Sequence, residues 1–508
     1  MTPLSWEFMS DVFNQSLSHS LQLMGLPSFQ GEWFAWFDNY VYGNQTAVEL
    51  IAAIRPLKSR NATELVAEIP RLRQQYSWVV DLPAAWGRDL DRFLIEIGRL
   101  SAVSFEDLDE QTIWNTVVDL MRVAADYFRP NIAISMTQSF LHRLLHALVE
   151  MVVGREQSLT TLDGLLSGIE TKTSLVNAEL HELALMVRQS PELCNSLQLD
   201  GGRSVWENKI YERFPEFAKR FRKLLIDHGH REIDIDYREP TWSQQPAVVL
   251  DSIALVLQGD STTSPAHLAR QQRIRFVQTE LQFLSILPDE LRFFFRELIR
   301  LTRSYTSLDD FEHYQTTRVN PIARQAAIAL GKRLRDRSIL DEPDDIFFAD
   351  KNALEQLIVS NFTSGVESFK QAIQSAKKSY QDAWRRTPSW NFDESYECDS
   401  TTDSLSGMPG SPGQATGECF LVRSPADFSR FPKGAILVAR TTNPAWTPLF
   451  YSASGLITES GGALSHGAVT AREMRLPAVM SVRGVMTSLT DGQVVRVDGT
   501  RGILTFVQ

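Results

Sequence analysis

Glycine divides this chain into two unequal regimes. Of its 27 glycines, 13 fall between Gly407 and Gly502, in the last fifth of the 508 residues, and the first 400 residues carry only 14. Glycine opens tight turns and close backbone approaches, and it weakens helix interiors. The pattern therefore implies a long helical front followed by a small, turn-rich end.

The front, residues 1 to 385, reads as helices. Phe140, Leu141, Leu144, Leu145, Leu148, Met151 and Val152 recur on one broad face, and Gly154 follows as a stop. Val319, Ile322, Ala326, Leu330 and Leu334 make a second face, with Pro321 either starting or kinking that helix. The segment 280–302 is a third candidate, broken or bent at Pro288. No short-period repeat favours a solenoid.

Three features of the front bear on chemistry. His142 and His146 share a helix face with Glu150; the spacing fits either a metal site or a solvated polar row. Arg143 stands where the H-E-x-x-H pattern needs its glutamate. Neither a G-x-x-x-x-G-K-[ST] loop nor a G-x-G-x-x-G turn occurs, so the front lacks those two phosphate cradles. His228-Gly229-His230-Arg231-Glu232, followed by alternating apolar and acidic residues and then Trp242, reads as an ordered loop. Either Arg231 and the histidines line a pocket for an anionic group, or the loop is pinned by arginine–carboxylate pairs.

From 386 to 406 the polar run thins out in aliphatics and reads as a linker. Beyond Gly407, short apolar runs at 419–422, 435–439, 456–458, 478–480, 494–497 and 503–506 read as strands between turns. Ser465 to Glu473 reads instead as a helix, with Ser465 as its cap and Gly461-Gly462 before it. His466 then stands in the first turn, where unpaired N–H groups and the positive end of the helix dipole favour a phosphoryl group. A neutral imidazole is a competent nucleophile near neutral pH, its ordinary pKa being about 6.5. The same placement also suits a histidine that merely opens a helix.

Composition narrows the classes. The net charge of −11 argues against a general nucleic-acid binder. Cys194, Cys398 and Cys419 form no C-x-x-C pair and fit a reducing compartment. There is no signal-peptide pattern at Met1 and no apolar stretch long enough to span a bilayer, so the expected location is cytoplasmic with no membrane partner.

The late motifs carry a resemblance. Gly461-Gly462-Ala463-Leu464-Ser465-His466-Gly467-Ala468-Val469-Thr470-Ala471-Arg472-Glu473 with Leu476-Pro477-Ala478-Val479 resembles the swivelling phosphohistidine domain of phosphoenolpyruvate-utilising enzymes. Thr442-Asn443-Pro444-Ala445-Trp446 resembles the loop before that histidine, and Val497-Asp498-Gly499 the closing hairpin. In the front, His228-Gly229-His230-Arg231 with Trp242, the run 339–348, and Thr2-Pro3-Leu4-Ser5-Trp6 resemble the helical acceptor domain of rifampicin phosphotransferases.

The resemblance implies a multidomain protein: a large, mostly α-helical acceptor domain over 1–385, a linker over 386–406, and a small α/β swivelling phosphohistidine domain over 407–508. It implies a phosphotransferase component with His466 as the phosphoryl carrier, held by Ser465, Gly467, Thr442 and Arg472. His228, His230, Arg231 and Arg303 would line the acceptor pocket. ATP and Mg²⁺ would sit on a separate ATP-grasp protein, because the sequence leaves no room for that domain; the acceptor would be a bulky small molecule offering a hydroxyl or carboxyl. No metal site is expected on the chain itself. The alternative is a non-catalytic small-molecule-binding protein descended from such an enzyme. Two departures stand out. Leu464 replaces the threonine usual in pyruvate phosphate dikinase and phosphoenolpyruvate synthase, and Ser307 stands where a lysine is expected.

Overall fold

A computed structural model describes the chain except residues 27–28, 30, 45–58, 60, 259–263, 385, 387–403, 463–464 and 508. Most of the expected linker and Leu464 lie outside the described residues. The contacts gather into two compact units. One comprises Met1–Leu144, Asp234–Thr241 and Leu308–Pro388; the other comprises Leu145–Ile233, Trp242–Ser307 and Ser389–Gln508.

The first unit is helical, with one hairpin. Its helix Trp78–Ser101 shows the logic of the whole: Val79, Leu82, Trp86, Leu90, Phe93, Ile97 and Leu100, three or four apart, form its buried face. Strands β1 (Phe34–Phe37) and β2 (Tyr40–Gly43) pair antiparallel. Asp38 and Asn39 between them take positive φ of 48° and 68°, as a tight two-residue hairpin turn requires. Asp236 fastens the start of the chain: it accepts from the Thr2 amide at 2.6 Å, the Thr2 hydroxyl at 2.8 Å and the Ser5 hydroxyl at 2.6 Å. These bonds tie the residue before helix Pro3–Leu23, and its first turn, to Asp236.

The expected punctuation is present. Pro288 separates helix Pro265–Ser285 from helix Asp289–Thr316, and Pro321 lies in the first turn of helix Asn320–Asp336. Helix Glu110–Val153 stops at Gly154, whose φ is +78°. On it, His142, His146 and Glu150 are half-buried. Among the described residues no group of three His, Cys, Asp or Glu side chains is arranged to hold a metal, and no helix is long and apolar enough to cross a membrane.

The second unit joins helices between 145 and 307 to an eight-stranded mixed sheet: β3 (Ser404–Ser406), β4 (Met408–Ser411), β5 (Gln414–Val422), β6 (Ile436–Ala439), β7 (Gly455–Thr458), β8 (Ala478–Met480), β9 (Val494–Asp498) and β10 (Ile503–Phe506). The order is β3-β10-β9-β5-β6-β7-β8-β4. Strands β5 to β8 are parallel neighbours, and the rest pair antiparallel. Strands β6 and β7 are buried along their length and accordingly read as plain apolar runs, Ile-Leu-Val-Ala and Gly-Leu-Ile-Thr. Gly499 explains part of the late glycine density: a Cβ there would collide with the Ser411 carbonyl and the Ala478 backbone. The sheet also packs on the helices of its own unit. Leu255, from helix Pro246–Gln258, belongs to the same buried cluster as Leu437, Leu449, Leu456 and Ala468, and the Ser452 hydroxyl donates to its carbonyl at 3.0 Å.

Glu312 is buried in the first unit and accepts from the Thr316 hydroxyl at 2.7 Å. Burial pushes its carboxyl up to about 8, with the Asp309 charge adding to the shift. The folded state therefore holds a proton that the unfolded chain releases above the ordinary glutamate range, so this contribution to stability is lost as pH rises from about 4.5 to about 8. The isosteric neutral variant Glu312→Gln should change stability little near pH 5 and add roughly 2–4 kcal/mol near pH 8.5. Urea unfolding at the two pH values measures this, and equal effects at both would contradict the assignment.

Candidate functional site

The site is built at the C-terminal edge of the parallel strands, where open α/β sheets present their loops. Strands β6 and β7 pair with Ala439 opposite Thr458. The chain leaving β6 therefore delivers Thr442 beside the chain leaving β7, which delivers Gly461 to His466. Gly461 turns with φ of +107°, and its carbonyl accepts from the Ser481 hydroxyl at 2.8 Å. The Ser465 amide donates to the Gly462 carbonyl at 3.0 Å. Ser465 is extended and caps helix His466–Met474, its hydroxyl accepting from the Ala468 amide at 3.4 Å.

His466 is thus the first residue of that helix and is half-buried. Gly467 follows it, and a Cβ there would overlap the Thr442 hydroxyl, so glycine lets the threonine close on the start of the helix. Thr442, Ser465, His466 and Gly467 are brought together at the N-terminus of this helix, where first-turn N–H groups and the positive end of the dipole lie. Beside them, Arg440 pairs with Glu459 at 3.3 Å across the two strand ends.

The loop at 228–233 is close by. Asn443, next to Thr442, donates from Nδ2 to the Ile233 carbonyl at 2.6 Å while its Oδ1 accepts from the Ala445 amide at 2.9 Å. His228 ends helix Pro215–His228; it is buried, and its Nε2 lies 3.3 Å from Glu179 Oε1. Burial lowers the His228 pKa, and the Glu179 carboxylate opposes that shift in part. The backbone pins the loop to the turn that follows it: the Trp242 amide donates to the Arg231 carbonyl at 3.1 Å and the Ser243 amide to the Gly229 carbonyl at 2.8 Å. The buried Arg231 guanidinium lies 5.3 Å from the centre of the Trp242 ring, and His230 is buried beside it in sequence.

The two remaining arginines are used differently. Arg472 donates to the Gly410 carbonyl at 2.8 Å, and burial lowers its pKa. Arg303 donates to the carbonyls of Leu165 at 3.0 Å, Ser167 at 2.7 Å and Gly168 at 3.0 Å, and its guanidinium lies 3.8 Å from the centre of the Phe276 ring. Burial pushes its pKa down to about 10. It caps the C-terminal carbonyls of helix Arg155–Leu165, and Ser307, one turn on, donates to the Glu170 carbonyl at 2.6 Å. Both arginines therefore hold backbone in this structure.

Sequence reasoning assigned no role to Asn443, Glu179 or Gln272. Asn443 had a local signal, an Asx residue before proline at a helical turn. Glu179 and Gln272 had none, because their partners are remote in sequence.

Residues 431–502 match the mobile domain of PEP-utilising enzymes, and residues 127–310 match the fourth domain of rifampicin phosphotransferase. A rifampicin phosphotransferase of Streptomyces sviceus is 28% identical over 369 residues, covering 70% of this chain and 42% of that protein. Its counterpart in Bacillus cereus is 26% identical over 347 residues, covering 65% and 39%. A chondramide synthase of Chondromyces crocatus is 26% identical over 376 residues, covering 68% of this chain and 10% of that protein. The chain thus spans less than half the length of each of these relatives. It carries a PEP-utilising enzyme mobile domain at its C-terminal end and is rifampicin phosphotransferase-like through the helices before it.

Proposed function

We propose that this chain is a phosphotransferase component in which His466 carries a phosphoryl group from a separate ATP-grasp protein to a hydroxyl or carboxyl of a bulky small molecule. The observation that carries this reading is the meeting of Thr442 with Gly467 at the N-terminus of a helix that Ser465 caps and His466 begins. In the first half-reaction an imidazole nitrogen of His466 would accept a phosphoryl group: a P–N bond forms as the bond from phosphorus to the donor's leaving group breaks, and ATP and Mg²⁺ would belong to the partner's site. In the second, the acceptor oxygen attacks the phosphorus, the P–N bond breaks and the acceptor proton passes to a base.

Histidine 228 suits that base. Burial keeps its ring neutral, and Glu179 orients it in the manner of a base and its carboxylate partner. Arg231, from the same loop, offsets charge on the moving phosphoryl group. Arg303 serves the pocket indirectly, by holding the 165–168 segment in place.

Incubation with the ATP-grasp partner and ATP should give an acid-labile phosphoryl group on the wild type and none on His466→Ala. Equal labelling of the two would overturn the carrier role. Ligand binding unaffected by His466→Ala, with no transfer under any donor, would support the non-catalytic binding protein instead.

The dyad generates a second expectation. The carboxylate of Glu179 raises the His228 pKa that burial lowers, so Glu179→Gln should move the His228 titration to lower pH by NMR. Because the folded pKa lies below the unfolded one, the unfolded chain takes up the proton first as pH falls. His228 should thus cost stability as pH drops below about 6.5, and Glu179→Gln should deepen that loss. An unmoved titration would show that the carboxylate does not act on the ring.

A further inference from the structure

Two side-chain amides join the sheet's connections to the helices of its unit, one at the turn after Thr442 and one at the far end of the His466 helix. Before it, Asn443 bridges the Ala445 amide and the Ile233 carbonyl, as described above. At its far end, Gln272 of helix Pro265–Ser285 donates from Nε2 to the Glu473 carbonyl and lies 3.5 Å from the Arg472 carbonyl. Its Oε1 accepts from the Gly168 amide at 3.2 Å. Gln272 is itself buried, and Gly168 is the residue whose carbonyl Arg303 holds.

Each site presents one backbone N–H and at least one carbonyl, a demand that a neutral amide meets with one acceptor and one donor group. A carboxylate of the same shape would keep the N–H bond and set its second oxygen against a carbonyl. At Gln272 it would also face the negative end of the histidine helix.

We propose that Asn443 and Gln272 are positioning residues: two amide clamps that fasten the histidine-bearing sheet to the helices of its unit, Asn443 between the turn after Thr442 and the 228–233 loop, Gln272 at the C-terminal end of the His466 helix. The proposal rests on the phosphohistidine reading for its purpose, since a carrier must leave one station to be charged at another. Two neutral hydrogen-bonded bridges suit that need. Each is modest in net strength, so the pair orients the sheet without locking it. The loop residues on the other side of the seam, His228 and Arg231, belong to the acceptor reading, so the clamps would act on delivery and not on charging.

The test uses the full chain with Asn443→Asp and Gln272→Glu combined. Hydrogen exchange should quicken about tenfold or more at the Arg231, Trp242 and Ser243 amides, with β6 and β7 unchanged. Labelling of His466 by phosphoramidate, a chemical donor, read at that residue by peptide mapping, should also quicken severalfold while the exposed His267 labels at its wild-type rate. Unchanged seam exchange in a folded variant overturns the clamps, and faster exchange without faster labelling overturns their positioning role. If β6 and β7 also loosen, the single variants Asn443→Ala and Gln272→Ala decide by the same criteria. Should wild type and variants all fail to label while seam exchange rises, the clamps stand and the phosphohistidine reading falls.

Discussion

The parallel pairing of β6 and β7, with Ala439 opposite Thr458, is the constraint on which the site depends. Parallel strands send their following loops out of the same edge, so Thr442 and His466, 24 residues apart in the chain, arrive side by side. The crossover from β7 to β8 then has to be a helix, and its first residue is the histidine. Nothing about His466 alone would distinguish it from a helix-opening residue. The strand register supplies Thr442, and the glycines at 461 and 467 supply the turn and the close approach.

The same logic links this sheet to the helices of its unit. Leu255 enters the sheet's buried cluster, while Asn443, Ser452 and Gln272 meet backbone groups on either side of the seam. The apolar contact supplies cohesion, and the polar bonds supply register. On the proposed carrier role, this division suits a domain that docks in one orientation and departs again. Arg303 and Arg472 act on backbone carbonyls beside the seam.

Much of this was legible in residue order, for a definite reason. Helix periodicity, Gly154, Pro288 and Pro321 are local signals, and the structure uses them where the pattern places them. Ser465, His466, Gly467 and Thr442 lie within or next to short motifs whose chemistry is also local. The division into two units was not legible, because it rests on contacts such as Asp236 with Thr2, 234 positions apart. Gln272 and Asn443 were silent for the same reason, with partners 201 and 210 positions away. Arg303 and Arg472 were assigned to the pocket and the phosphoryl group through the resemblance; their bonds to backbone carbonyls were silent in the sequence, because a guanidinium suits either use and only the fold shows these partners.

The central claim is a P–N bond at one imidazole. Phosphorus NMR on protein with ¹⁵N-labelled histidine, charged and held at alkaline pH, tests it directly. The account predicts a phosphorus resonance coupled to one histidine nitrogen, absent from His466→Ala and lost on mild acidification. A signal that persists in His466→Ala, or that survives acid as a phosphate ester would, contradicts it.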